Sequence, residues 1–476
     1  MANSDIISFE DWDFLKNPVT INEIVDHAKL PQGAKKIILE RDDNYNLKGT
    51  LKFEDLKFLP ERDVVAGSFD AGFKVEGISD DGLTSCVLES CHIGSISFKG
   101  ANDFVGTADL RISKLKMRCS ENTPIHLREW YVNGPSSYVP FRSAEGKWIQ
   151  YCTEEQFLSK RNQKNSTNIP IANCFSTQVI WCKTKEFRFL ITKIPTHGPK
   201  WSTNVGIEYH EDWGRIPEID ERLKIEALCS FVFGKHLLSV GCTTYDEDEN
   251  IVEVYAHSPW GREAKSSCSK PEYPPIRIHD APKGSAEKLI EYLLPKYMES
   301  CEPLCLEEAL WNYWISFDVP VGTNLPIIAS ALETIIENWY KWKKTKSEGL
   351  YLETEMFKAL LEENLTHIKK KLEKIENGEK IFNKILRANE FGIMERYRVF
   401  FEEINLKANK ADWGAISGRH RFVHGHANFD EIDWQQVIRQ VNTLHTLFNK
   451  TLLKILDYKW DYIDRSVEGW PDAQLS

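Results

Sequence analysis

The chain has no apolar stretch long enough to cross a lipid bilayer, which takes about 20 consecutive apolar residues in a helix. Its first residues lack the basic segment and apolar run of a secretory signal. They also lack the glycine that N-myristoylation requires. With neither a span, a signal nor a lipid anchor, the sequence predicts a cytoplasmic protein that has no membrane partner.

The sequence also lacks the cysteine spacings that hold zinc. Its 11 cysteines are scattered, and none of them forms a Cys-x-x-Cys pair. An odd number of scattered cysteines indicates reduced, mostly buried thiols in a reducing compartment. We therefore expect neither a bound metal nor another cofactor.

Basic charge is scarce as well, since the formal net charge is −11. A protein that coats nucleic acid indiscriminately needs a basic surface, so this class of function is disfavoured. A local basic pocket stays compatible with the composition, because salt screens exposed charges beyond about 10 Å.

What the sequence does contain is enough apolar material for substantial cores. Of its 476 residues, 42% are hydrophobic and 12% are aromatic, which argues against wholesale disorder. At roughly 150 residues per domain, this length predicts about two to four domains.

Short strands dominate the N-terminal half. β-prone runs punctuated by Gly, Ser and Asp occupy residues 36–40, 47–53, 63–69, 72–75, 85–88, 93–98 and 104–119, and two more lie within 177–194. Helical spacing predicts a helix over 219–233, and residues 237–243 and 251–256 read as a hairpin. Many short strands with closely spaced turns predict an antiparallel sandwich or barrel.

The pattern becomes helical after the proline-rich residues 271–282. Helices are predicted over 286–299, 306–316, 325–344, 353–376, 380–403, 413–423 and 430–458, with Asp430 or Asp433 as the last cap. The predicted fold class is therefore α+β and multidomain. Residues 1–283 form a β-rich, sandwich-like or barrel-like domain, and residues 284–476 form an all-α bundle.

One short stretch, residues 417–430, concentrates reactive side chains. It holds Arg419, His420, Arg421, His424 and His426 within eight positions, interleaved with apolar residues. Two guanidinium groups and three imidazoles are costly to bury together unless each is paired. A segment of this composition is typical of a site that is partly built into the core, although cations stabilising a helix end would also explain it.

These side chains suit metal-free cleavage of RNA. Arginine binds phosphate and histidine transfers protons near neutral pH, while a guanidinium stabilises the charge that develops when the 2′-hydroxyl attacks the phosphate. Arg419 and His424 lie about 140° apart on an ideal helix, whereas His420 and His424 share a face. A working site therefore needs Arg419 to reach around, the helix to end near His424, or a second copy of the segment from another subunit.

The run from Arg419 through Gly425, followed by the helix predicted from Asp430, resembles the signature of the HEPN superfamily. In that signature an arginine is followed by a polar residue, three further residues and a histidine. HEPN domains are α-helical, and many of them are ribonucleases. A β-rich region joined to a C-terminal domain of this type resembles the ApeA type of bacterial anti-phage protein.

The resemblance implies a toxic, metal-independent endoribonuclease that acts in abortive-infection antiviral defence. Such an enzyme would cut host RNA, with tRNA as one target, and would leave a 2′,3′-cyclic phosphate. It also implies a homodimer or higher homo-oligomer in which two HEPN domains build one cleft, and an N-terminal domain that senses a phage-derived trigger or restrains the nuclease. Arg419 would bind the phosphate and His424 would be the catalytic histidine. His420 would fill the polar position, which is most often Asn in the family.

Several alternatives stay open at this level. Arg421 and His426 form a second frame of the same spacing, which we rank below the first because an apolar residue follows Arg421. Glu333 and Glu337 share a face of the helix predicted over 325–344. The resemblance suggests that an acidic residue there pairs with the site arginine, while ordinary surface carboxylates explain both equally well.

Other functions are weaker on the sequence alone. The runner-up is a non-catalytic HEPN-like module that binds a nucleotide or a partner, and a third is a metal-dependent hydrolase that uses His424 and His426. Lysines within 341–346 and 369–371 would suit an RNA backbone, although a solvated helix face explains the second group more simply. The acidic residues 246–249 predict a hairpin turn, and residues 208–212 match no known metal motif.

Overall fold

The computed structural model divides the chain into two compact units. The first consists of Met1–Pro274 and Ile278–Tyr292, and the second of Pro275–Arg277 and Leu293–Ser476. The residues that the structure describes are 6–8, 15, 18–25, 29–31, 33–54, 71–80, 82, 84–99, 105–136, 141, 148–152, 175–194, 203–259, 264–278, 285–343, 349–419 and 433–475. Among the described helices, none combines the length and the apolar character that a membrane-crossing segment requires.

Strands make up most of the first unit. They are β1 (Ile6–Ser8), β2 (Val19–Asn22), β3 (Ala34–Arg41), β4 (Leu47–Phe53), β5 (Phe73–Ser79), β6 (Ser85–Lys99), β7 (Val105–Ile112), β8 (Lys114–Arg118), β9 (His126–Val132), β10 (Trp148–Cys152), β11 (Phe175–Lys183), β12 (Arg188–Ile194), β13 (Asn204–His210), β14 (Leu238–Tyr245) and β15 (Ile251–His257). The strands predicted over 36–40 and 47–53 are confirmed as β3 and β4, which pair as an antiparallel hairpin.

Six of these strands close into an antiparallel barrel. Strands β6, β5, β2, β3, β4 and β7 pair in that order, and β7 pairs back with β6. Alternate side chains such as Ile37, Leu51 and Leu88 fill the interior and are buried. Gly106 is required at its position because a Cβ there would lie 2.3 Å from the ring of Phe53.

Strand β6 joins the barrel to an open continuation of the sheet. Its first residues pair with β8 and its later residues pair with β7. From β8 the sheet continues through β15, β14, β9, β13, β12, β11, β10 and β1. Every residue of β9 is buried, and β9 lies between β13 and β14.

The single strand predicted over 104–119 is wrong in one respect, since the chain divides at Ser113 into β7 and β8. The reason is tertiary, because β7 pairs with β4 of the barrel while β8 pairs with β15 of the open part. The strand predicted over 63–69 lies outside the described residues.

The helix predicted over 219–233 is confirmed with the same bounds as α1 (Ile219–Phe233). Glu218 and Glu221 form a reciprocal capping box at its start. At its end Gly234 takes a left-handed φ of 67°, and a Cβ there would lie 1.9 Å from the backbone nitrogen of Pro274. A shorter helix follows, α2 (Ala264–Cys268).

The C-terminal half is mostly helical. Its helices are α3 (Ala286–Ser300), α4 (Leu306–Ile315), α5 (Asn324–Lys343), α6 (Thr354–Leu372), α7 (Gly378–Leu386), α8 (Ile393–Glu403), α9 (Lys410–Gly418) and α10 (Trp434–Ile455). Helix α5 packs against α4 and α10, and α9 packs against α10. The apolar stripe of α5, with Ile328, Leu332 and Ile335, is buried as the helical spacing predicted.

Two predictions for this half need correction. The helix predicted over 380–403 is interrupted between α7 and α8, because the side chain of Asn389 exchanges hydrogen bonds with the backbone of Leu352 and Glu390 is extended. The all-α description fails at the C-terminal end, where β16 (Asp461–Ile463) pairs with β17 (Asp472–Gln474). Strands of three residues are too short to leave an alternating pattern in the sequence.

Candidate functional site

Helix α9 carries the arginine-histidine stretch. The side chain of Asn409 accepts hydrogen bonds from the backbone N–H groups of Ala411 and Asp412, and the Asp412 carboxylate accepts one from the backbone N–H of Asn409. This capping box starts the helix at Lys410 rather than at the predicted residue 413. The helix ends at Gly418, and Arg419 is the last residue described before residue 433.

Arg419 is buried and held by three contacts within its unit. Its Nη2 lies 2.6 Å from Oε1 of Glu333 on α5, and its Nη1 donates to the carbonyl oxygen of Ile416 at 2.7 Å. The guanidinium carbon lies 5.8 Å from the ring centroid of Tyr397 on α8. Contacts from α5, α8 and α9 therefore fix the guanidinium in one place.

The two carboxylates that the sequence singled out on α5 have different partners. Glu333 pairs with Arg419, whereas Glu337, one turn later, pairs with Arg396 of α8 at 2.5 Å. The hydroxyl of Tyr340 donates to the carbonyl oxygen of Arg396 at 3.1 Å. The structure therefore brings Glu333, and not Glu337, to the arginine of the signature.

Tyr397 adds a hydroxyl group to this cluster that the sequence did not reveal. It is fully buried, and its hydroxyl has no hydrogen-bond partner among the described residues. Burial and the nearby Glu333 raise the pKa of Tyr397, while Arg419 opposes the shift. The phenol therefore stays protonated and keeps a donor beside the Arg419–Glu333 pair.

The remaining residues of the predicted site lie outside the described part of the chain. They are His420, Arg421, His424 and His426. Among the described residues, no group of three or more His, Cys, Asp or Glu side chains is arranged to hold a metal ion. The hydrolase alternative with His424 and His426 thus stays a prediction.

The lysines that the sequence offered for RNA contact lie at helix ends. Lys341 and Lys343 lie in the last turn of α5, and the Lys343 ammonium lies 4.6 Å from the ring centroid of Trp342. Lys369, Lys370 and Lys371 are exposed at the end of α6. Cations in the last turn also stabilise the helix dipole, so their position alone assigns them no ligand.

A second buried polar cluster lies in the β-rich unit, on β9. His126 Nε2 lies 3.3 Å from Oε2 of Glu208, and its Nδ1 lies 3.5 Å from Oε1 of Glu249. Arg128 Nε lies 3.3 Å from Oε1 of Glu208, and its Nη1 donates to the hydroxyl of Tyr245 at 3.0 Å. His126 and Arg128 are two residues apart, so both lie on one face of the strand.

The charges of this β9 cluster support one another. Although burial disfavours a charged imidazole, Glu208 and Glu249 raise the pKa of His126. Burial works against the Glu208 carboxylate as well, but Arg128 and His126 hold its pKa below the usual value. The carboxylates therefore favour the protonated form of His126, and the two basic side chains favour the ionised form of Glu208.

Sequence reasoning passed over this cluster. The acidic residues 246–249 do form the turn between β14 and β15, where Asp246 Oδ1 accepts from the backbone N–H groups of Asp248 and Asn250. Glu249, however, also faces His126. The available signal was a strand with His126 and Arg128 among apolar neighbours, but only the pairing of β9 with β13 places Glu208 opposite Arg128.

Comparisons of the chain with models of protein families, with characterised proteins and with solved structures give no match. The functional argument therefore rests on the residues of this chain. The strongest arrangement for chemistry is the cluster of Arg419, Glu333 and Tyr397, which lies directly before the histidine-rich residues.

Proposed function

We propose that this chain is a cytoplasmic, metal-independent endoribonuclease of the HEPN type, which acts in abortive-infection defence as an ApeA-type protein does. Its C-terminal helical region cuts host RNA, with tRNA as one target, and the β-rich region senses a phage-derived trigger or restrains the nuclease.

One observation carries this proposal, namely the position of Arg419. The arginine of the signature is buried at the end of α9, and Glu333 of α5 pairs with it at 2.6 Å. An arginine that only caps a helix end would project into solvent, where its interaction with the helix dipole contributes little to the stability of the fold. The burial and pairing of Arg419 instead fit a guanidinium that is held ready for a bound group.

The contacts of Arg419 leave it able to bind phosphate. A guanidinium has five N–H donors, of which one is donated to the carbonyl oxygen of Ile416. Glu333 is held as an ion pair, and its side chain is one-third exposed (33%), whereas that of Arg419 is 7% exposed, so a phosphate oxygen that binds Arg419 has to displace Glu333 or join it. Arg419 would then stabilise the negative charge of the phosphorane.

Proton transfer falls to the histidines of the same segment. His424 removes the proton of the 2′-hydroxyl or supplies one to the departing 5′-oxygen, and His420 is the second imidazole available for this step. Attack of the 2′-oxygen on phosphorus breaks the bond to the 5′-oxygen and leaves a 2′,3′-cyclic phosphate. The spacing of Arg419 and His424 favours a cleft completed by a second copy of the chain.

The test is RNA cleavage by the full chain in the presence of EDTA. We expect cleavage with cyclic phosphate ends, and we expect His424→Ala to reduce it roughly 10²-fold to 10⁴-fold, the range for losing a general acid or base. In cells challenged with phage, the same substitution abolishes protection.

Two further variants sharpen this test. Arg419→Lys should also reduce cleavage strongly, because an ammonium cannot reproduce the planar fork that reaches Glu333, Ile416 and a phosphate. His367→Ala, at an exposed histidine on α6, serves as the matched control and should cut at the wild-type rate. Equal protection by wild type and His424→Ala, with no RNA product from either, would rule out the proposal.

The alternative function is a non-catalytic module that binds a nucleotide or a partner. The same burial and pairing of Arg419 fit this alternative, so the product of the reaction decides between the two. This alternative predicts that Arg419→Ala changes ligand binding and that no cyclic phosphate is formed by any variant. Detection of that product from the purified chain excludes it.

A further inference from the structure

A cavity of about 250 Å³ lies in the C-terminal unit, away from the Arg419 cluster. It is bounded by the residues before α9, by α10 and by the C-terminal strand β17. Lys407, Ala408, Lys450, Tyr462 and Gln474 are among the residues that line it. Residues 406–409, between α8 and α9, form one wall of the cavity, and α10, β16 and β17 contribute the others.

Lys450 is the most informative side chain of this cavity. Only 5% of the residue is exposed, and its ammonium donates to Oδ2 of Asp412 at 2.8 Å. The same carboxylate oxygen also accepts from the backbone N–H of Asn409. Among the described residues, Asp412 is the one acceptor within hydrogen-bonding distance of this ammonium, which has three N–H donors. Two donors of a buried cation are thus left to the cavity that Lys450 lines.

Two lysines line the cavity, Lys407 and Lys450, and no carboxylate of the described residues does. Asp412 pairs with the Lys450 ammonium at 2.8 Å. Lys407 forms no ion pair with any described residue, and its unpaired charge favours an anionic occupant.

We propose that this cavity binds a phosphate group, with the Lys450 ammonium as its buried donor and Lys407 as the second lysine of its lining. A phosphate offers three oxygens in different directions, which suits compact ammonium groups arriving from several sides. A planar carboxylate offers only two.

This site is independent of the proposed nuclease. The cavity borders the start of α9 and Arg419 follows its end, so nine residues of helix separate them, or about 13 Å at 1.5 Å per residue. A phosphate bound here is not the one that is cleaved. Its binding can be measured without RNA, so either proposal can fail alone.

The test is calorimetric titration of the full chain at low salt with inorganic phosphate, AMP and acetate. We expect saturable binding of inorganic phosphate and AMP, and binding of acetate that is at least roughly tenfold weaker. A lower dissociation constant for AMP than for inorganic phosphate identifies a phosphomonoester as the ligand, and equal dissociation constants identify free phosphate. Acetate binding as tight as that of phosphate overturns the choice of phosphate.

Variants locate the binding in the cavity. Lys450→Met should weaken phosphate binding at least roughly tenfold, which is the usual effect of losing a hydrogen bond from a charged group. Because this change also leaves Asp412 without its cation, Ala408→Phe provides a second variant that fills the cavity and keeps every charge. Lys370→Gln, an exposed lysine on α6, is the matched control and should bind as wild type does. Absence of saturable phosphate binding, or unchanged binding in Ala408→Phe, overturns the proposal.

Discussion

Among the described residues, each of the two units buries one histidine almost completely, yet the two imidazoles have opposite charge preferences. His126 on β9 and His445 on α10 are each 4% exposed. Glu208 and Glu249 raise the pKa of His126, in spite of its burial. Burial and the nearby Arg465 lower the pKa of His445 to about 3. Burial alone therefore does not decide whether a histidine is charged.

The neighbours of each ring explain the difference. His126 faces two carboxylates at 3.3 and 3.5 Å. His445 instead bonds the hydroxyl of Ser316 at 2.7 Å and stacks on the ring of Phe317, with 4.1 Å between centroids. A hydroxyl and an aromatic ring stabilise a neutral imidazole, whereas two carboxylates stabilise the protonated imidazolium. The buried histidine of the β-rich unit thus lies between carboxylates, whereas the buried histidine of the helical unit is packed as a neutral polar ring.

The largest effect should come from removing the central carboxylate of the β9 cluster. Glu208→Gln keeps the size of the side chain but leaves His126 and Arg128 without their shared partner. A buried pair that loses one member costs about 3–5 kcal/mol, and we expect a loss of that order for the β-rich unit. Hydrogen exchange of the β9 amides measures it locally.

The matched control for this substitution is Glu253→Gln. Glu253 pairs with Lys116 across two neighbouring strands, and the two side chains are 32% and 51% exposed. An exposed pair of this kind contributes less than about 1 kcal/mol. Equal losses in the two variants would show that the β9 cluster is no more than a surface-like ion pair.

A smaller effect separates the two histidines directly, through the same substitution at each position. His126→Phe removes the cation that faces two carboxylates, and we expect a cost of about 1–3 kcal/mol, as for a buried partner left unsatisfied. His445→Phe keeps the aromatic volume, and Ser316 retains its bond to the carbonyl oxygen of Tyr313. We expect it to cost less than about 1.5 kcal/mol.

Hydrogen exchange of the β9 and α10 amides reports each histidine substitution in its own unit. A larger cost at His445 than at His126 would contradict the assignment of charge. It would mean that packing around the rings, rather than the facing carboxylates, sets the difference between the two units.

The smallest effect is the pH dependence of stability between about pH 7.5 and 5.5, within one unit of the unfolded pKa of histidine, and it should have opposite sign in the two units. For His126 the folded pKa is raised, so its contribution is complete below the unfolded value of 6.5 and is lost as pH rises through the folded pKa. For His445 the folded pKa is about 3, so the native state loses stability as pH falls from 6.5 towards 3. A tenfold difference in proton affinity between the folded and unfolded states changes stability by about 1.4 kcal/mol.

Nuclear magnetic resonance titration of the histidine rings tests this sign. The His445 ring should stay neutral from pH 8 down to about 5, because its pKa lies near 3. The His126 ring should remain protonated above pH 6.5, and Glu208→Gln should bring its midpoint down. Coincident midpoints for the two rings would remove the contrast between the units.

Helical spacing in the sequence predicted some elements of the fold and missed others. Helical spacing located α1 and the buried stripe of α5 because a helix that faces a core repeats its apolar residues at fixed intervals. Helical spacing did not predict the break between α7 and α8, because the hydrogen bonds of Asn389 run to Leu352, which is 37 residues away. Periodicity reports local structure and carries no information on such a partner.

For the candidate site, the sequence singled out Arg419 and offered Glu333 and Glu337 as equivalent partners. Helix packing decided between them, since the end of α9 meets α5 at Glu333, while α8 brings Arg396 to Glu337. Tyr397 could not have been found, because a buried tyrosine on an amphipathic helix is indistinguishable from ordinary core in the sequence. The roles of His420 and His424 stay predictions.

The sequence by itself determined the short segment that concentrates arginine and histidine and indicated many of the strands and helices, although not β2, β9 or β13. Those properties depend on residues that are close together along the chain. Only the tertiary structure decided which charges meet, because Glu333 reaches Arg419 across 86 residues and Glu208 reaches Arg128 across 80, as the residue numbers give by subtraction. Charge pairing at that separation depends on strand register and helix packing, and these are fixed by the core as a whole.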